Sequence, residues 1–251
     1  MTGWLRIVGL GPGAPGARTP DAEDALNAAT DLIGYAPYLE RFSPRAGQIR
    51  HATDNREELA RAHHALTLAA SGHRAALVSG GDPGVFAMAS AVFEALESGP
   101  ASWRALDITV IPGITAMLAA AAHLGAPLGH DFCAISLSDN LKPWALVLQR
   151  LTAAAGAGFV IAVYNPRSRA RPDHLREAFT ALRKILPPAT PVAFAAAITR
   201  PDEHVTVTTL EAANPEQADM RTLVLIGSHE TRVIARENAP PFLYTPRSTA
   251  A

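Results

Sequence analysis

Cysteine is nearly absent: among 251 residues only Cys133 carries a thiol. A lone cysteine excludes an internal disulfide framework and any metal site built on several thiolates. Cys133 reads as a small buried hydrophobe rather than a nucleophile. Lysine is almost as scarce, with Lys142 and Lys184 alone. Net charge is missing too, since 22 basic and 23 acidic residues leave −1 with histidine neutral. That balance supplies no long-range field to hold nucleic acid or an anionic membrane. Long apolar runs are also lacking. The longest, Ile114 to Leu124, is about half of what a bilayer span needs, and Met1 to Leu10 is too short for a secretory leader and is broken by glycine at once. The expectation is a cytoplasmic protein that binds neither nucleic acid nor membrane and holds no resident metal.

What is present is apolar: 48% of the residues are hydrophobic, enough to bury a sizeable core in one large domain or two modest ones. Short apolar runs alternate with longer amphipathic ones, the pattern of an α/β protein. Strands are predicted over 5–11, 31–35, 75–79 and 107–111. Helices are predicted over 20–29, 56–70, 85–96 and 115–124, the first with Thr19 as N-cap and Pro20 at its first position. The second half has another rhythm: a strand over 132–137, a helix over 143–155, a strand over 159–164 and a helix over 172–186. Three strands then follow, 191–197, 204–210 and 222–226, with little helix between them. Val205 to Thr209 is β-branched throughout, a strong strand signal. Two domains are therefore expected, 1–113 and 114–238, the second with a mixed and partly antiparallel sheet. The proline- and polar-rich stretch 239–251 is expected to be a loose tail.

Three glycine-bearing loops stand at predicted strand ends. Gly9-Leu10-Gly11-Pro12-Gly13 invites comparison with a dinucleotide fingerprint, but the third glycine would fall on Ala14, the helix begins only near Pro20, and Pro12 removes a backbone donor that phosphate would want. The lysine of a phosphate-binding loop is absent as well. This is either a tight turn with no ligand or a close backbone approach to something other than phosphate. In Ser79-Gly80-Gly81-Asp82-Pro83-Gly84-Val85-Phe86, the glycines leave room for a flat ligand against backbone. Asp82 either caps the following helix or accepts hydrogen bonds from ligand hydroxyls or an ammonium. In Ile111-Pro112-Gly113-Ile114-Thr115-Ala116, Thr115 can cap a helix and contact a ligand at once. Three loops of one design at one sheet edge imply a nucleoside-like ligand held mainly by backbone.

These residues carry a resemblance. Val8 to Gly13, Gly80-Gly81-Asp82-Pro83 and Pro112 to Ala116 resemble, in order and spacing, the three N-terminal signatures of the tetrapyrrole methyltransferase family. The resemblance runs to about Ile234. Further stretches are similar to the subgroup acting at carbon 17 of a precorrin-type ring: Ile33 to Leu39, Leu124 to Phe132, Ile135 to Asp139, Tyr164 to Ser168, Leu225 to Ser228, and Thr231 to Val233. The resemblance implies two α/β/α domains with a cofactor cleft between them (the tetrapyrrole methylase fold), usually as a homodimer. It implies S-adenosyl-L-methionine as methyl donor, leaving S-adenosyl-L-homocysteine, and a small-molecule tetrapyrrole as acceptor. By position, Leu10 and Pro12 would line the donor pocket, and Gly80, Gly81, Asp82 and Val85 would contact the donor. Thr115 and Ala116 would hold its methionine part, and Tyr164 and Asn165 its adenosine. Ala197 and Ile198 would also contact the donor, although the stretch Ala197-Ile198-Thr199, where relatives read Asn-Ala-Gly, is bulkier here and lacks the glycine.

The implied chemistry needs no protein nucleophile, because a sulfonium is already a good leaving group and positioning carries most of the rate. Members of the subgroup also contract the macrocycle by expelling the C20 carbon. That step takes a proton from a tertiary hydroxyl and forms a carbonyl, so a general base is expected. The candidates are Asp139, His130 and Asp131. Asp139 is preferred because it follows Ser136 and Ser138 at a strand end, whereas His130 after a glycine also reads as a plain loop residue. Ser136, Ser138, Arg167 and Arg169 are the expected substrate contacts. Arg167, Arg169 and Arg171 share one loop, and guanidinium forks suit a ring bearing many carboxylates; a solvated loop is the alternative. A cobalt-containing ring as substrate, and a non-catalytic tetrapyrrole carrier, both stay open on the sequence.

Overall fold

Strand and helix alternate regularly through the first 115 residues, and burial explains why. The strands β1 (Trp4–Gly9), β2 (Asp31–Tyr35), β3 (Ile49–Thr53), β4 (Arg74–Ser79) and β5 (Asp107–Ile111) are joined by α1 (Pro20–Ala28), α2 (Ala36–Leu39), α3 (Glu58–Ala70) and α4 (Met88–Ser98). The computed structural model describes residues 3–54 and 57–248, and the chain divides into two compact units, Met1–Thr115 and Ala116–Ala251. In the first unit the sheet order is β3-β2-β4-β1-β5, parallel throughout. Parallel sheets are covered on both faces, so their central strands read as continuous apolar runs. Alternate side chains serve opposite faces. Leu5, Ile7 and Leu77 pack with α3 and α4, while Val8, Leu32 and Val78 pack with α1 and α2.

The second unit contains α5 (Ala116–Leu124), β6 (Gly125–Ala126), β7 (Phe132–Ser136), α6 (Trp144–Gly156), β8 (Val160–Tyr164), α7 (His174–Leu182), β9 (Pro191–Ala196), β10 (His204–Thr209), β11 (Thr222–Ile226), β12 (Arg232–Ile234) and β13 (Phe242–Tyr244). Its main sheet has the order β10-β9-β11-β8-β7. Only β7 and β8 run parallel; the other pairings are antiparallel. One face carries Ile161, Val163, Phe194 and Val224 against α6 and α7, with Phe179 and Leu182 fully buried between them. The other face carries Ala162, Ala193 and Ala195 against α5. Small residues on both surfaces let that helix lie close. Cys133 packs half-buried against the first of these faces, and burial pushes its thiol pKa up, as befits a hydrophobe rather than a nucleophile.

Several expectations need correction. The stretch 239–251 is not a loose tail as far as it is described: β13 pairs with β12 and, in parallel, with β6, and Leu243 is buried. The buried Thr245 adds a second anchor, its hydroxyl donating to the Pro127 carbonyl at 2.7 Å. The fourth helix starts at Met88 rather than at 85, because Phe86 adopts a left-handed φ of 51° that a helix cannot contain. Asp82 therefore does not cap it. The strand β3 was not predicted, since Ile49-Arg50-His51 is an exposed edge with little apolar alternation. The predicted helix start at Arg56 lies outside the described residues. Among these, no helix is long and apolar enough to cross a membrane.

Candidate functional site

In the first unit the adjacent strands β4 and β1 send the chain in opposite directions. From β1 it passes through α1 to β2, on one face; from β4 it passes through α4 to β5, on the other. Open parallel sheets bind ligands outside the carboxyl ends of strands at such a switch point. The three glycine loops stand there. Gly11 and Gly81 form an antiparallel bridge, with Gly11 N–H donating to the Gly81 carbonyl at 3.1 Å and Gly81 N–H to the Gly11 carbonyl at 2.9 Å. Leu10 N–H donates to the Ser79 carbonyl at 2.9 Å.

The glycines serve these loops first. A Cβ on Gly9 would stand 2.6 Å from Gly113 N, and one on Gly113 would stand 2.3 Å from the Gly81 carbonyl oxygen. A Cβ on Gly80 would enter the Tyr38 ring, 2.8 Å from Cζ. The expectation that the glycines of 79–86 leave space for a ligand is therefore revised at Gly80, which admits Tyr38, while Gly9 and Gly113 let backbone meet backbone. Asp82 ties the third loop to the second. Its Oδ1 accepts from Gly84 N–H at 2.8 Å and its Oδ2 from Gly113 N–H at 3.0 Å. An ionised carboxylate has about four acceptor positions, so roughly half remain for a ligand.

The other predicted residues of this unit fall around the same place. Pro12 is buried, Gly81 and Val85 are half-buried, and Thr115 is buried. Leu10 differs from expectation, because its side chain lies in the core beside Val78 and Leu26, which leaves only its backbone for a ligand. No lysine or arginine occurs in 9–13, 79–85 or 111–115. A carboxylate amid exposed backbone, without a cation, suits a cationic nucleoside that carries no phosphate. Removing this carboxylate by Asp82→Ala is expected to cost about 1–2 kcal/mol of stability, because two N–H groups lose their acceptor. It is also expected to weaken homocysteine-nucleoside binding about tenfold, which corresponds to 1.4 kcal/mol. Titration calorimetry checks the second figure, and unchanged affinity would remove Asp82 from the ligand's surroundings.

In the second unit the parallel pair β7 and β8 presents its carboxyl ends together. Asn165 takes a left-handed φ of 51°, and its Nδ2 donates to Ser136 Oγ at 3.0 Å. Ser138 N–H donates to the same Oγ at 3.3 Å, and Tyr164 Oη accepts from Met117 N–H at 3.0 Å, near the start of α5. Ala116 thus lies at a helix start beside a tyrosine hydroxyl. Ala197 and Thr199 take φ of 49° and 65°, with Ala197 and Ile198 buried. Left-handed backbone on non-glycine residues costs of order 1–3 kcal/mol each and collects at functional sites. Thr199, the position of the missing glycine, keeps the left-handed conformation that glycine would favour.

The candidate bases separate. His130 and Asp131 precede β7, whereas Asp139 follows it, so the strand holds them about 16 Å apart. His130 Nδ1 accepts from Asp131 N–H at 2.7 Å, and the Asp131 side chain is 79% exposed; both leave the candidate site. Asp139 stays, with two neighbours that the sequence reading missed or misplaced. Its Oδ2 is 3.7 Å from His174 Nε2, and its Oδ1 is 3.8 Å from Arg171 Nη1. Arg171 is not a solvent-facing fork: its side chain turns inward through a tight turn in which Ser168 and Arg171 pair by backbone. Arg167 Nε donates to the Pro172 carbonyl at 3.2 Å, and Arg169 is exposed. His174 was hidden inside a predicted helix. The available signal was a charged helix start, Asp173-His174, right after the arginine loop.

The sequence model of the tetrapyrrole (corrin/porphyrin) methylases matches residues 5–214. A precorrin-3B C(17)-methyltransferase of Sinorhizobium sp is 57% identical over 98% of this chain and 97% of its own. A probable cobalt-factor III C(17)-methyltransferase of Salmonella typhimurium is 42% identical over 91% of this chain and 94% of its own. The crystal structure of the methyltransferase CobJ superposes with a TM-score of 0.92 at 52% identity, covering 97% of this chain and all of that one.

Proposed function

The chain belongs to the tetrapyrrole (corrin/porphyrin) methylase family, and from that premise we propose that it methylates precorrin-3B at carbon 17 in cobalamin biosynthesis. S-adenosylmethionine supplies an electrophilic methyl group on a sulfonium that leaves without further activation. The single observation that carries the reading is full-length similarity at 57% identity to a chain of the same activity, coupled to three glycine loops tied together at the switch point of the first sheet. That 57% exceeds the 42% identity to the cobalt-factor III relative, and it favours the metal-free ring.

In the first unit, Pro12, Gly80, Gly81, Asp82, Val85 and Thr115 are the residues to hold the donor. Backbone at Gly81 and Leu10 sets the shape of the site, and the Asp82 carboxylate accepts from the donor's ammonium or hydroxyls. In the second unit, Ser136, Ser138, Arg167 and Arg169 are the residues to meet the acid-bearing ring. Ring contraction belongs to the same reading, as does a homodimer working in the cytoplasm. In the first unit Leu59 and Phe93, each about half accessible, are apolar side chains that a partner could cover.

One paired assay tests this. The protein is incubated with methyl-labelled S-adenosylmethionine and either precorrin-3B or the cobalt-containing ring. Label in the macrocycle, with the metal-free ring turned over faster, is the expected result. Bound pigment without label would mean a carrier, and faster turnover of the cobalt ring would reverse the choice of substrate.

A further inference from the structure

His174 is the first residue of α7, and its side chain is 13% exposed. Its Nδ1 lies 3.0 Å from the Leu137 carbonyl oxygen. A carbonyl can only accept, so the proton of the neutral ring sits on Nδ1 and the lone pair on Nε2. Trp144 fixes the plane of the ring: the two stack at 4.1 Å between centroids and 10° between planes. Trp144 is itself held, with Nε1–H donating to Glu177 Oε2 at 2.6 Å. The imidazole is thus set by a backbone acceptor on one side and an indole on its face, which is more constraint than a surface histidine needs.

Nε2 points at Asp139. The 3.7 Å separation is too long for a direct hydrogen bond, so among the described residues both the nitrogen and the carboxylate keep acceptor capacity toward a third group. Arg171 stands behind the carboxylate, its Nη1 at 3.8 Å and buried without a hydrogen-bond partner among the described residues. A base whose conjugate acid forms 3.7 Å from a fixed carboxylate gains stabilisation only after it takes a proton. The group lies at the carboxyl ends of β7 and β8, beside Ser136 and Asn165.

We propose that His174, through Nε2, takes the hydroxyl proton in the ring contraction, with Asp139 and Arg171 as its positioning residues. This rests on the reading that the enzyme methylates and contracts a precorrin ring. The O–H bond of the substrate's tertiary alcohol breaks and its proton passes to Nε2. The freed electron pair becomes the second bond of a carbonyl. One carbon–carbon bond of the carbinol carbon migrates with its pair to the adjacent ring carbon, closing the smaller ring. That adjacent carbon sheds an oxygen substituent, which leaves with its bonding pair. The step is an isomerisation and needs no oxidant. The charged groups around the imidazole are Asp139 after β7, Arg171 after β8 and Glu177 on α7, the last engaged by Trp144.

The test uses the full-length enzyme, precorrin-3B enriched in carbon-13 and S-adenosylmethionine with a radiolabelled methyl group. Methyl incorporation and the new carbonyl resonance are followed separately. His174→Asn is the variant of choice, because its amide can still donate to the Leu137 carbonyl and so preserves the fold. Methyl incorporation is expected within about threefold of the parent, while carbonyl formation falls about 100-fold, the scale of a lost general base. The acid limb of the parent's contraction profile is expected to vanish in His174→Asn and to move in Asp139→Asn. Contraction at the parental rate in His174→Asn, or a parallel fall of methylation and contraction, overturns the role. A parent enzyme that transfers no methyl group sinks the functional reading instead, and one that methylates without ever contracting removes the step assigned to His174.

Discussion

Gly113→Ala is expected to lower the unfolding free energy by about 3 kcal/mol, the upper end for overpacking, and to abolish binding of the methyl donor and its product. The added Cβ would stand 2.3 Å from the Gly81 carbonyl oxygen and 3.0 Å from Gly9 Cα. Every neighbour is backbone, so no rotamer relieves the clash. The only escape is to part the third loop from the other two, which also lengthens the bond from Gly113 N–H to Asp82. Stability and binding therefore fall together. Gly16→Ala is the control, since a Cβ there meets nothing within 4 Å. Urea midpoints and calorimetry with S-adenosylhomocysteine decide it. A Gly113→Ala protein with parental midpoint and affinity would mean that the loops do not meet as described.

The second large effect lies at the opposite ends of the same strands. Asp31 opens β2 with 1% of its surface exposed. It accepts from Thr30 Oγ1 at 2.7 Å and lies 2.8 Å from both His51 Nε2 and His73 Nδ1. His64 Nε2 is 3.0 Å from His51 Nδ1 and extends the chain. Burial alone would raise the Asp31 pKa, but the hydrogen bonds from Thr30, His51 and His73 outweigh it and hold the carboxyl below its ordinary value. Burial, then the neighbouring His51, lowers the pKa of His64. Both shifts make the unfolded chain bind more protons than the folded one. Stability is therefore expected to drop first as the pH falls below about 6.5, the ordinary histidine value, where His64 contributes, and again below about 4, where Asp31 does. Asp31→Asn is expected to cost about 3 kcal/mol near pH 7.5, on the scale of hydrogen bonds to a charged group, and to flatten the lower limb. Urea titrations at stepped pH measure both, and equal slopes between about pH 3 and 5 in parent and variant would discard the account. Donor affinity should survive the change, because the glycine loops sit at the other strand ends.

Much of this architecture could be read from residue order because buried parallel strands advertise themselves. Leu5 to Gly9 and Ala75 to Ser79 are largely apolar runs, the first ending in glycine and the second followed by Gly80, and the family signatures sit on those ends. What escaped the sequence depended on partners far along the chain. The pairing of Leu243 and Tyr244 with Gly125 and Ala126 leaves no local periodicity, and β3 is an exposed edge whose side chains pack little. Side-chain direction was equally hidden. Three arginines in one loop looked equivalent, yet Arg171 turns in to Asp139 while Arg169 stays in solvent. His130 and Asp131 were candidate bases by residue type alone, with the strand over 132–137 already set between them and Asp139; hidden altogether was His174, whose neighbour in space, Leu137, is 37 positions away.

The order β10-β9-β11-β8-β7 has a bearing on how the protein is made. Once Ile111 has left the ribosome the first sheet has all five of its strands. The second cannot close then, because β11 must enter between β8 and β9, which were synthesised well before it. Until Ile226 emerges, Val160–Tyr164 and Pro191–Ala196 each keep an apolar edge without a neighbour, open to pairing with another nascent chain. Any pause in translation between those two points prolongs that exposure, so slow codons downstream of Ala196 carry a higher aggregation hazard than slow codons before Ile111.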